Sequence, residues 1–135
     1  MQRILISAGD YSGEIYGVEI LQRLKKELSS ARFFCLTRSI MSDAGATPVS
    51  SVSNVGVVGI TEVAGQFKNL VATMKAVWRF FDHNPPHVVI LIDFPDVNLH
   101  IIARLAKRKG ARVLYFIPPQ VWAWRPGRIK LLERL

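Results

Sequence analysis

Two carboxylates stand three residues apart where an apolar run ends: Asp93 and Asp96, in Ile92-Asp93-Phe94-Pro95-Asp96-Val97-Asn98. Asp93 leaves a stretch of β-branched and leucine residues. Partial desolvation there makes a carboxylate a better proton acceptor, which suits a general base. Asp93 is therefore the candidate catalytic residue. Asp96 has a second reading as the N-cap of the helix that follows. Asn98 can orient a ligand or be an ordinary first-turn residue.

A second loop reads Ala8-Gly9-Asp10-Tyr11-Ser12-Gly13-Glu14. It sits where a dinucleotide fold would hold pyrophosphate, but its glycines lack the G-x-G-x-x-G spacing and no Lys-Ser/Thr pair follows. Asp10 and Glu14 flank a helix start, where carboxylates already satisfy the positive end of the dipole and repel a phosphate. NAD and ATP are excluded at this turn. Carboxylates and the Ser12 hydroxyl accept hydrogen bonds from sugar hydroxyls, so Asp10, Ser12, Gly13 and Glu14 are candidate substrate-binding residues. The structural alternative has Ser12 as N-cap, with the two acids as dipole partners.

The third loop, Pro118-Pro119-Gln120-Val121-Trp122-Ala123-Trp124-Arg125-Pro126, is rigid, aromatic and basic. Trp122 and Trp124 can stack on sugars or bases, and Arg125 can pair with a phosphate or carboxylate. Alternatively, the two tryptophans seal a sheet edge. An aromatic and basic loop also permits single-stranded nucleic acid, but no RNA-binding signature accompanies it.

The elements that position these loops alternate between strand and helix. Arg3 to Ala8 and Arg32 to Thr37 read as strands, Val55 to Val58 as a third, His87 to Ile92 as a fourth and Arg112 to Ile117 as a fifth. Helical periods run from Ser12 through Ile15, Val18, Leu21, Leu24 and Leu28, from about Thr61 to Asp82, and from about Asp96 to Lys109. A short helix over Ile40 to Gly45 ends at its glycine, and a last one starts near Pro126. The long stripe of Val63, Phe67, Leu70, Val71, Met74, Val77, Trp78 and Phe81 is expected to pack on the sheet. Continuous apolar strands alternating with helices predict an α/β fold, a mostly parallel sheet with helices on both faces. Right-handed crossovers bring the three polar loops to one edge of it.

The bulk numbers agree with a single domain of 135 residues, half of them apolar. The net charge is +8, and nine of the 18 Lys and Arg fall at or after Arg104. That bias suggests an anionic partner or a solvated helix face. Cys35 is the sole cysteine, so no internal disulfide forms, and its apolar surroundings mark a buried, inert thiol. No secretory signal or membrane-spanning run is visible. The last helical pattern has no stop, so the expectation is the first half of a longer protein.

Taken in order, Gly9-Asp10-Tyr11-Ser12-Gly13-Glu14, Val58-Gly59-Ile60-Thr61-Glu62-Val63, Ile92-Asp93-Phe94-Pro95-Asp96-Val97-Asn98 and Pro119-Gln120-Val121-Trp122-Ala123-Trp124-Arg125 resemble the lipid-A-disaccharide synthase family over essentially the whole chain. The resemblance implies a glycosyltransferase of the GT-B kind, with two Rossmann-like domains, of which residues 1–135 are the acceptor-side one and the nucleotide-binding one is absent. It implies transfer from UDP-2,3-diacylglucosamine to 2,3-diacylglucosamine 1-phosphate with inversion, release of UDP, and no metal or other cofactor. It also implies a cytoplasmic place, peripheral at the anionic inner membrane of a Gram-negative bacterium.

On this basis Asp93 matches a family aspartate and acts as base or orients the acceptor. Asp96 and Asn98 match the same motif, and Arg125 is suited to the acceptor phosphate. Three departures stand out. Asp10 and Glu14 are exchanged relative to the family's Gly-Glu-x-Ser-Gly-Asp. Leu36-Thr37-Arg38-Ser39-Ile40-Met41 lacks the family's glycine turn. His87 stands where the family often has an aspartate, which makes it a rival for the base. The competing reading is a module that binds an anionic glycolipid or membrane without chemistry. Nucleic-acid binding rests on charge and Trp/Arg alone.

Overall fold

The computed structural model describes residues 1–51, 63–94 and 97–116, with side chains from 67 onward in the second segment. The strand expected at 55–58 and the helix expected from Pro126 lie outside these residues.

Five strands form one sheet: β1 (Arg3–Ala8), β2 (Arg32–Cys35), β3 (Thr47–Pro48), β4 (Val88–Ile92) and β5 (Arg112–Phe116). Their order is β3-β2-β1-β4-β5, and every pairing is parallel. This is the doubly wound α/β arrangement expected. β3 was not anticipated: it is two residues long at the edge, where a proline costs no ladder bond.

After Arg3 and from Val88 on, β1 and β4 are almost wholly apolar because both of their faces are covered, whereas in β5 the side carrying Arg112, Leu114 and Phe116 is exposed. Leu5, Val89 and Leu91 bury one way, against Val77 and Phe81 of α3 (Val63–His83) and Ala103 and Ala106 of α4 (Ala103–Arg108). Ile4, Ile6, Ile90 and Ile92 bury the other way, with Leu21 of α1 (Tyr11–Glu27) and Met41 of α2 (Ile40–Asp43). Gly45 follows α2 with φ 114°, a conformation that favours glycine and ends the helix as expected.

Two helices differ from the periodic reading. In α1 the inward face is Gly13, Gly17 and Leu21, while Ile15 is exposed. The glycines let the helix press on the sheet: a Cβ at Gly17 would collide with Met41 Sδ. Among the side chains described in α3, from Phe67 onward, the core is met through Val77 and Phe81, with Met74 and Phe80 packed beside them. Phe67, Leu70, Val71 and Trp78 are exposed. A 21-residue helix is about 31 Å long, roughly twice a five-residue strand, so the sheet cannot cover all of it. Trp78, one residue past Val77, is also turned about 100° off the buried face.

The expected start at Asp96 lies outside the described residues; within the helix expected from there to Lys109, Val97 is already helical and a π-helical turn, Asn98–Ile102, runs into α4.

Candidate functional site

Register sets the site. Ala8 pairs with Ile92, and Ile92 with Phe116. The first, fourth and fifth strands therefore stop at one level, and their exits leave the same edge side by side. Strand order reverses between β1 and β4, and ligands of such sheets bind in the crevice at that point.

The β1 exit is held by Asp10. Its backbone is extended, and its Oδ1 accepts from the Gly13 N–H at 2.7 Å, so Asp10 is the N-cap of α1. Ser12, the cap suggested by sequence, lies inside the first turn and donates its Oγ to Asp10 Oδ1 at 3.2 Å. The carboxylate occupies the amide that a phosphate would need at this helix end. Asp10 and Ser12 are exposed, whereas Gly13 is buried and Glu14 is only 4% exposed. Burial first, and then the negative charge of Glu14, push the Cys35 thiol up to about 12. Its Sγ donates to Thr37 O at 3.3 Å, and it belongs to the core, not to the crevice.

The β4 exit is strained. Asp93 and Phe94 have φ of 45° and 51°, left-handed values that cost roughly 1–3 kcal/mol each in non-glycine residues and cluster at functional sites. The Phe94 ring lies over Gly9, where any Cβ would collide with it. That contact locks the β1 and β4 exits together and explains the glycine.

Asn98 is fully buried. Its Nδ2 donates to Asp93 O at 2.7 Å and reaches Ser7 O and Ile92 O at 3.3 Å, while its Oδ1 accepts from Ser7 Oγ at 2.6 Å. It sits beneath the crevice and ties the two strand ends. Tyr115 OH donates to the same Asp93 carbonyl at 2.8 Å. The half-buried Asp93 carboxylate has no hydrogen-bond partner among the described residues.

His87 is elsewhere. It precedes β4, at the opposite edge of the sheet, and its Nδ1 accepts from the Arg3 N–H at 3.0 Å. A strand's length of about 16 Å separates it from the Asp93 edge. Asp10, Ser12 and Asp93 follow the level ends of the neighbouring strands β1 and β4, at the same edge of the sheet. Asp96, Gln120, Trp122, Trp124 and Arg125 lie outside the described residues. Ser7 and Tyr115 escaped the sequence reading. Ser7 sits fully buried in an apolar strand where a hydroxyl needs a partner, the one signal that marks it; Tyr115, half-buried in β5, carries no such signal.

Residues 4–135 match the family model described as lipid-A-disaccharide synthetase. The chain belongs to the lipid-A-disaccharide synthase family. It is 39% identical over 134 residues to the lipid-A-disaccharide synthase of Geobacter metallireducens, covering 99% of this chain and 35% of that protein. It is 36% identical over 131 residues to the synthase of Coxiella burnetii, covering 97% and 35%. The synthase of Geobacter sulfurreducens is 38% identical over 133 residues, covering 98% and 34%. The chain thus spans about a third of the length of the synthases it matches.

Proposed function

We propose that this chain is the acceptor-side domain of a lipid-A-disaccharide synthase. The intact protein joins UDP-2,3-diacylglucosamine to 2,3-diacylglucosamine 1-phosphate. The acceptor's primary hydroxyl attacks the anomeric carbon, the bond from that carbon to the diphosphate oxygen breaks, and UDP leaves with the electron pair. Asp93 takes the hydroxyl proton. Asp10 and Ser12 bind sugar hydroxyls beside it, and Arg125, with Trp122, Trp124, Gln120 and Asp96, completes the acceptor site. Glu14, Gly13 and Asn98 support it from below. A second α/β domain, in the two-thirds of the relatives' length not spanned here, holds the uridine nucleotide. No metal takes part.

The observation that carries this reading is the Asp93 carboxylate, half-buried and without a described partner, at the level exits of three parallel strands. The test is direct. The intact protein, given both glycolipids and excess EDTA, should form disaccharide and UDP in equal amounts at the rate seen without chelator. Absence of UDP release, or loss of rate with EDTA, would overturn the corresponding part.

The same protein works at an anionic bilayer as a peripheral enzyme. Support comes from α3, whose exposed Phe67 (66%), Leu70 and Trp78 (50%) stand among exposed Lys68, Lys75 and Arg79. Leu70, Val71, Met74, Lys75, Trp78 and Arg79 line an open depression of about 530 Å³. An apolar face rimmed by cations suits a negatively charged lipid surface. Among the described residues no helix is long and apolar enough to cross a membrane. The non-enzymatic alternative would leave lipid binding intact and show no transfer.

A further inference from the structure

The β4 exit holds a concentration of polar bonding that fold stability alone does not call for. Asp93 O receives two donors, Asn98 Nδ2 at 2.7 Å and Tyr115 OH at 2.8 Å. A carbonyl oxygen has two lone pairs, so this one is saturated. The Asn98 amide is itself oriented by Ser7 Oγ at 2.6 Å. The saturated carbonyl belongs to the first of two consecutive non-glycine residues with left-handed φ. That residue also carries the carboxylate without a described partner. The donors come from three separate places: β1, the π turn and β5.

We infer that Ser7, Asn98 and Tyr115 form a clamp on the Asp93 carbonyl that holds the strained turn and so aims the Asp93 carboxylate into the crevice. They are positioning residues, which act through Asp93 and touch no substrate. The inference rests on the proposed role of Asp93. Free of the clamp, Asp93 would relax to negative φ, rotating its Cα–Cβ bond and turning the carboxylate away. Rate then follows the fraction of molecules with the productive turn. One neutral hydrogen bond is worth a factor of roughly five in such an equilibrium.

Tyr115→Phe removes one hydroxyl and keeps the ring. In the intact protein it should lower kcat measurably, by up to about fivefold, and leave KM for donor and acceptor within about twofold. Introduced into Asp93→Asn, it should change nothing further, because the group it aims is gone. Ser7→Ala, which unties the Asn98 amide, should lower kcat by about threefold with the same dependence on Asp93; it serves as the readout should Tyr115→Phe fail to fold. Wild-type kcat in both variants, or the same fold-loss with and without the Asp93 carboxylate, overturns the clamp while Asp93 keeps its role. Wild-type turnover in Asp93→Asn alone is the separate result that overturns the role of Asp93.

Discussion

Cys35 shows how a residue's surroundings decide its chemistry. Its thiol ionises near 12 against 9.0 for an unperturbed one, because burial and the Glu14 charge both disfavour the thiolate. The thiolate is the reactive form, so native protein at pH 8 should react with iodoacetamide far more slowly than unfolded protein. Equal rates would contradict the burial. The raised value also has a stability consequence. The folded state keeps the proton that the unfolded state gives up, so this contribution is complete below pH 9 and is lost as pH rises toward 12. Urea midpoints over that range should fall more steeply for wild type than for Cys35→Ala. Sequence alone reached the inert thiol, since Phe33-Phe34-Cys35-Leu36 is apolar whatever it packs against. It could not separate Asp10 from Ser12 as the cap, because both are good caps and only the first helical residue, Tyr11, decides between them. Nor could it join Tyr115 to Asp93, a contact across 22 residues.

At the scale of elements, two contacts position the site. The first is the close approach of the β1 and β4 exits at Gly9, where Phe94 covers the backbone. Gly9→Ala forces the ring or the strained turn to shift, and overpacking of this kind costs about 1–3 kcal/mol. The urea midpoint of the variant should fall accordingly, and an unchanged midpoint would show the contact to be loose. The second is α3. Its periodicity was legible, but periodicity marks an apolar face without saying what covers it. Val77 and Phe81 take the sheet, and Phe67, Leu70 and Trp78 do not. If that remainder meets lipid, Trp78→Glu should weaken partition of the intact protein onto anionic vesicles by at least about tenfold, with thermal stability unchanged. Vesicle binding equal to wild type would remove α3 from the membrane contact. The helix starts expected near Ser12 and at Ile40 are met to within a residue, and those at about Thr61 and Asp96 lie outside the described residues. The π turn at Asn98–Ile102 carries Asn98 and its buried hydrogen bonds to Ser7 of β1, which no local pattern records.

At the scale of the molecule, the legible part was topology. Apolar runs bounded by glycine and proline alternate with helical periods, and the handedness of crossovers leaves little choice but a parallel sheet with its loops at one edge. The levelled ends of β1, β4 and β5 follow that expectation. The edge strand Thr47–Pro48 was not legible, because two residues carry no period. His87 was the rival to Asp93 as base, and the two flank the same strand, so they stand at opposite edges of one sheet, about 16 Å apart, and cannot serve one reaction centre. The account therefore comes down to a single carboxylate, and the most direct measurement is the turnover of Asp93→Asn in the intact protein beside its affinity for 2,3-diacylglucosamine 1-phosphate. Loss of a positioned base predicts kcat lower by a factor of about 100 or more, with acceptor affinity within a few-fold of wild type. Turnover at the wild-type rate would contradict it.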